Sequence, residues 1–193
     1  RLTSDEELNS TKAIKTQKHN QSFIENAGRI FSPSQATKHI FNKCFPHKNI
    51  LWAPHPDKTT QTSAHPAPSK NTFNILVLGG LCKEKGADLL AKVAGAMHST
   101  HPQIKFILIG HAYRELNANI NVHGCYQDHE LDQLMTDYQG DLIWFPALWA
   151  ETYCYTLTSA LCTTLPILAP NVGAFPERLS GREWSWITDY KQS

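Results

Sequence analysis

The stretch 73-FNILVLGGLCKEKGADLLAKVAGAMHS-99 decides how the rest of the chain is read. It opens with a short, nearly continuous apolar run from Phe73 to Leu78, bounded by glycine, which reads as a buried strand. Gly79 and Gly80 let the backbone turn tightly at the strand end. From Gly86 onward, apolar residues recur at helical spacing. Strand, glycine turn and helix make the first half of a strand–helix–strand unit. The pattern then repeats: IKFILIG (104–110) is a strand, HAYRELN (111–117) a short helix, NVHG (121–124) a strand and DHELDQLMTDY (128–138) a helix. DLIWFP (141–146) is a strand, TLTSALCTT (156–164) a helix and PILAP (166–170) a strand. A turn and short helix come next in GAFPERLS (173–180), and WSWIT (184–188) reads as one more strand.

Strands that are apolar throughout and alternate with helices predict an α/β fold. Its centre is a doubly wound, Rossmann-like parallel sheet covered on both faces. In such sheets ligands bind outside the carboxyl ends of the strands. Three loops belong to that edge: GGLCKEKG (79–86), GCYQDHE (124–130) and PALWAETYCY (146–155).

Upstream of this layer the sequence changes character. Residues 1 to about 20 are polar and read as a helix or loose arm. A short strand at Arg29 to Ser32 meets a helix capped near Ser32 or Ser34, with Pro33 suited to its first turn. A second short strand is expected at Asn49 to Ala53. The segment DKTTQTSAHPAPSKN (57–71) has a linker composition. The expected division is 1–57 as the tail of a preceding domain, 58–72 as linker, and 73–193 as the α/β domain, truncated at its C-terminal end. The chain begins at Arg1 rather than Met and closes inside what reads as an element, which points to a piece of a larger protein.

Composition bounds the function classes. The 193 residues are 41% hydrophobic and 18% charged, and 18 basic against 17 acidic residues leave a net charge of +1. Bulk electrostatic binding to nucleic acid or an anionic membrane has no support there, whereas a local phosphate site needs only one or two placed groups. The five cysteines, Cys44, Cys82, Cys125, Cys154 and Cys162, are widely spaced with no CxxC pair, which favours reduced thiols in a cytoplasmic setting. No secretory signal and no membrane-spanning run is present. The ten histidines form no HExxH; the closest groups, His98 with His101 and His123 with His129, read as surface residues, so no metal site is expected.

The loops narrow the chemistry. GGLCKEKG is neither a Walker loop, because Lys85 precedes Gly86, nor a GxGxxG fingerprint. It leaves Lys85 just ahead of a helix, where a cation can reach an anion over the sheet edge or simply be solvated. Gly124, Cys125 and Tyr126 stand at a strand end; they can read a planar base or make a plain turn capped by Asp128. The most specific stretch is ETYCYTLTSALC (151–162). Its helix starts near Tyr155, and free N–H groups there favour a phosphate. Ser159 falls one turn after Tyr155. Glu151 lies too far upstream to be a routine cap, and no basic residue stands next to it in sequence. A carboxylate beside an anion-binding helix start suits a ligand carrying both hydroxyls and phosphates, such as a sugar diphosphate.

LGGLCKEKGADLL, VHGCYQDHEL and DLIWFPALWAETYCYTLTSALCTTLPILAPNVGAFPERLSGR, in that order, resemble the C-terminal, nucleotide-sugar-binding half of retaining glycosyltransferases with the GT-B fold, group 1 (family 4-like). The resemblance covers roughly residues 73 to 182. SPSQATKHIFNKCFPHKNILWAPHPD is similar to the last segment of the preceding domain and the link between domains. The resemblance implies that Lys85 contacts the diphosphate of the donor and that Glu151 meets its sugar, as the catalytic residue. It further implies that Gly124, Cys125 and Tyr126 lie beside the base and that the backbone around Cys154, Tyr155 and Thr156 holds the distal phosphate; Gly79, Gly80, Tyr153 and Ser159 complete the expected donor-binding set. The pattern departs at two positions. Gly80 stands where an arginine is common, and Ser159 where a second glutamate usually meets the ribose hydroxyls.

The resemblance implies retaining transfer of a hexose from a nucleoside-diphosphate sugar, in polysaccharide or glycoconjugate synthesis, with no cofactor or metal. A glycan or lipid-linked acceptor would be bound by the missing N-terminal domain, so the fragment alone is expected to be inactive. The location implied is cytoplasmic, with peripheral contact at the inner face of a membrane. The two departures keep open a non-catalytic nucleotide-sugar-binding or protein-interaction module of the same fold. PHPDK (54–58) mimics a co-chaperone signature, but strand-like residues precede it and it reads as a turn. Trp144 and Trp149 read as packing, and Glu177 as a helix-start charge.

Overall fold

The computed structural model describes residues 21–56 and 71–189, in two compact units divided between Pro54 and His55. The expected arm at 1–20 and nearly all of the expected linker lie outside the described residues. In the first unit, strand β1 (Ile30–Ser32) pairs in parallel with β2 (Ile50–Trp52), with Ile30 opposite Ile50. Helix α1 (Gln35–Cys44) connects them. Its N-cap is Ser34, whose hydroxyl accepts the Thr37 backbone N–H at 3.2 Å. Pro33 therefore lies outside the helix, one residue ahead of the cap, rather than in the first turn. Ser32 Oγ donates to the Ser34 carbonyl at 2.8 Å, so both buried serines of the turn are satisfied.

The second unit carries the predicted layer. Its elements are β3 (Phe73–Leu78), α2 (Ala87–Thr100), β4 (Ile104–Ile109), β5 (Ile120–Val122), α3 (Leu131–Asp137), β6 (Leu142–Trp144), α4 (Tyr155–Leu161), β7 (Ile167–Pro170), α5 (Phe175–Leu179) and β8 (Ser185–Thr188). The six strands run parallel in the order β5-β4-β3-β6-β7-β8. Successive residues of a strand point to opposite faces, and here both faces are apolar. Leu76 and Leu78 of β3, with Ile107 and Ile109 of β4, pack against Leu131, Met135, Leu157, Leu161, Phe175 and Leu179 of the helices on one side. Ile75, Val77, Phe106 and Leu108 pack against Leu90, Ala91 and Ala94 of α2 on the other. Burial on both faces is the reason the strands read as near-continuous apolar runs.

One expected element is absent. Residues 111–117 are not helical. Ala112 forms a bridge with Leu81, and the Tyr113 N–H donates to the Leu81 carbonyl at 2.8 Å, so the chain continues the ladder beyond β4. The Arg114 guanidinium then reaches Asp88 in the first turn of α2, at 2.7 Å. The predicted turn capped by Asp128 is a short 3₁₀ turn (Asp128–Glu130) capped instead by Gln127, whose own N–H donates to Glu130 Oε2 at 2.6 Å.

Candidate functional site at the carboxyl edge of the sheet

Strand order reverses between β3 and β6: the chain builds outward through β4 and β5 on one side, then returns to add β6, β7 and β8 on the other. In doubly wound sheets such a reversal is where a ligand crevice forms, outside the carboxyl ends of the two central strands. Gly79 to Gly86 leave β3, and Phe145 to Cys154 leave β6.

The two loops are fastened together. The Leu148 N–H donates to the Glu84 carbonyl at 2.8 Å. Gly86, the N-cap of α2, has φ +87°, and a side chain there would collide with the Pro146 carbonyl. Only glycine allows both the left-handed backbone and this approach. Gly79 lies against Thr156 in the first turn of α4, where an added Cβ would come within 3.2 Å of the Thr156 methyl.

Lys85 and Glu151 emerge from this joint face to face. Nζ of Lys85 is 3.2 Å from Oε1 of Glu151, with the lysine side chain 42% exposed and the glutamate only 13%. An acid with no basic neighbour in sequence thus finds one through the topology, and it is more enclosed than its loop position suggests. Its backbone is held as well: the Glu151 carbonyl accepts the Ala174 N–H at 2.9 Å. Gly173, at φ +62°, sits so close that a Cβ would lie 2.6 Å from the Glu151 nitrogen.

Cys154 turns the chain into α4 with φ +68°, an uncommon conformation for a residue with a side chain. Burial pushes its thiol above the ordinary range. The Thr156 hydroxyl at 3.5 Å acts in the other direction, and the Glu151 carboxylate adds to the rise. Arg178 holds this turn from beneath. Its guanidinium donates to the carbonyls of Tyr153 (2.7 Å) and Cys154 (2.8 Å) and to the Thr158 hydroxyl (2.9 Å), and lies 3.9 Å from the centre of the Tyr153 ring. Tyr153 is buried, whereas Tyr155 is 72% exposed; their rings pack at 5.2 Å, with His55 against Tyr153 at 4.6 Å. Neither Arg178 nor His55 stands out in the sequence as a site residue, because each acts across the fold. Glu177 lies in the first turn of α5, as its sequence context suggests.

Gly124, Cys125 and Tyr126 join the edge from β5. The Gly124 N–H donates to the Gly110 carbonyl at 2.9 Å, extending the ladder to the third loop. Tyr126 packs on the core, and burial raises its phenol, with a smaller push from the nearby Asp128. Gly79, Gly80, Lys85, Glu151, Cys154 and Thr156 therefore cluster at the crevice, and the 124–126 loop flanks it. Ser159 lies further along α4, half-buried, and among the described residues no hydrogen bond joins it to the Lys85–Glu151 pair.

The model of the glycosyl transferases group 1 family matches residues 58–189, more than half of the chain. The chain belongs to this family. Among solved structures, this group 1 glycosyltransferase domain is similar to WaaG, a glycosyltransferase involved in lipopolysaccharide biosynthesis, with a TM-score of 0.73 and 13% identity over 100% of this chain and 58% of that one. It is also similar to TarM (TM-score 0.69, 14% identity, 91% of this chain and 36% of that chain). Anabaena Alr3699/HepE, in complex with UDP and glucose, matches with a TM-score of 0.66 and 18% identity over 96% of this chain and 55% of that chain. At these identities the likeness is one of fold, and it agrees with a Rossmann-like half of a GT-B structure. The chain spans about a third to three-fifths of the length of these structures. Among curated proteins none matches it by sequence. Among the described residues no helix is long and apolar enough to cross a membrane, and no group of three or more His, Cys, Asp or Glu is placed to hold a metal ion.

Proposed function

We propose that the crevice between the β3 and β6 loops binds a nucleoside-diphosphate sugar, and that the domain is the donor-binding half of a retaining, family 4-like glycosyltransferase. The observation that carries this reading is the meeting of Lys85 and Glu151 at the point where strand order reverses. One cation and one carboxylate suit the two ends of such a donor. Lys85 faces the diphosphate and offsets the charge that grows on it as the glycosidic bond breaks. Glu151 accepts hydrogen bonds from sugar hydroxyls and orients the ring for transfer with retention. The N–H groups after Cys154, fixed by Arg178, take the outer phosphate, and the loop at Gly124 to Tyr126 flanks the base.

The acceptor, a glycan or lipid-linked glycan of polysaccharide or glycoconjugate synthesis, belongs to a preceding domain whose tail is the first unit. The exposed Phe31, Leu51 and Trp52 on its two-stranded sheet support that assignment, since parallel strands are normally covered. Transfer needs both domains to position the reactants, and a cytoplasmic enzyme working against the inner membrane face fits these roles. No metal is required in this scheme. The departures at Gly80 and Ser159 favour, as the second reading, a module that binds the nucleotide sugar without transferring it. Calorimetry with UDP and UMP tests the shared step: UDP should bind more tightly, and Lys85→Ala should remove most of the difference. Equal affinity of the unaltered chain for both would refute the phosphate assignment.

A further inference from the structure

A second side chain stands over the same edge. His111 comes directly after Gly110 at the end of β4, and its imidazole is exposed. Its backbone carbonyl accepts the Leu81 N–H at 2.8 Å, which fixes the residue beside the β3 loop. Its ring lies over Gly80: a Cβ built on Gly80 would come within 3.1 Å of Cε1 and 3.2 Å of Nε2. On its other side, Nδ1 is 3.8 Å from the Cys125 thiol in the β5 loop. The imidazole thus bridges the loop that carries Lys85 and the loop at Gly124 to Tyr126.

Gly80 gains its meaning from this ring. Gly79 needs a positive φ (+95°), but Gly80 does not have one, so its backbone would accept a side chain. A side chain there would press on the imidazole, which would have to shift to make room. The bare backbone at Gly80 and the ring of His111 form one arrangement, which puts a nitrogen donor at the sheet edge from the neighbouring strand.

We infer that His111 is a donor-binding residue that hydrogen-bonds, through Nε2, the phosphate nearest the ribose. This rests on the nucleotide reading of the crevice. The position comes from the order of the loops: from the base beside Tyr126 toward the pair at Lys85 and Glu151, His111 lies in between. Cys125 sets the ring orientation by engaging Nδ1, which leaves Nε2 for the ligand. Lys85 then discriminates diphosphate from monophosphate, whereas His111 serves both alike.

Calorimetry of UDP and UMP on four forms of the full chain tests this: unaltered, His111→Ala, Gly80→Ala and the double variant. His111→Ala should weaken UDP and UMP by the same factor, about tenfold, as expected for one hydrogen bond to a charged group. Its melting temperature should stay unchanged, because the ring is exposed. Gly80→Ala should also weaken both ligands by displacing the ring, yet be neutral when His111 is already alanine. A loss confined to UDP, no loss at all, or an equal effect of Gly80→Ala in both backgrounds would overturn the assignment while leaving the nucleotide site intact. If the unaltered chain binds neither ligand, the nucleotide reading itself fails, and this inference with it.

Discussion

Replacing Glu151 by glutamine separates its two roles, because the amide keeps the shape while it loses the charge and exchanges one acceptor oxygen for an NH2 donor. In the structure that charge faces Lys85 at 3.2 Å. With the lysine side chain 42% exposed, solvent screens the pair, and its net worth is about 1 kcal/mol at most. The backbone fastening through Ala174 is untouched by the substitution. For a unit of this size the melting temperature should therefore fall by no more than about 3–5 °C. Binding should change in opposite directions for two ligands. Bare UDP no longer competes with Glu151 for Lys85, so its affinity should hold or rise by up to about fivefold, the equivalent of that 1 kcal/mol. UDP-glucose loses a charge-assisted hydrogen bond worth about 1.5–3 kcal/mol. The preference for UDP-glucose over UDP should accordingly drop about tenfold or more. Calorimetry of both ligands, with a melting curve of each protein, reads all three quantities. Equal weakening of UDP and UDP-glucose would refute a sugar role for Glu151. Loss of the folded state would make it a structural acid.

Three further outcomes are expected. Arg178→Ala should destabilise the fold by about 3 kcal/mol, since two carbonyls and a hydroxyl lose a charged donor; Arg178→Lys should not restore it, because a lysine lacks the planar fork, and chemical denaturation measures both. Gly173→Ala should cost at least about 1 kcal/mol by the same measurement, because φ is +62° and the methyl would strike the Glu151 backbone; an unchanged midpoint would mean that this turn yields freely. At pH 8, iodoacetamide should modify exposed Cys44 and Cys125 well before Cys154, whose thiol is raised by burial and so holds less thiolate. Mass spectrometry gives the order, and early modification of Cys154 would show that the turn into α4 opens.

The layer was legible because its strands are apolar on both faces and its helices amphipathic, so the period alone separates them. The start of α4 at Tyr155 was legible for the same reason. The segment HAYRELN was not. Its local propensity allows a helix, but bonds from Tyr113 to Leu81 and from Arg114 to Asp88 hold it against the β3 loop and the start of α2, so tertiary contacts override a weak preference. Glu151 drew attention by its position, yet its partner could not be read, because Lys85 lies far away in sequence and only the β3–β6 pairing unites them. Arg178 and His111 were hidden likewise: each acts on loops from other strands, and neither belongs to a motif with a spacing of its own.

The most direct test of a nucleotide-sugar crevice is to map the bound nucleotide on the chain itself. Amide signals from ¹⁵N-labelled protein, recorded as UDP is added, locate the site without assuming any residue's role. Shifts should concentrate at residues 79–86, 111, 124–126 and 151–156, the loops around Lys85 and Glu151. A contrasting groove lies away from these loops, lined by Asn74, His98, Lys105, Asn119 and Tyr138. Shifts gathered in that groove, or scattered with none at the carboxyl edge, would contradict the assignment.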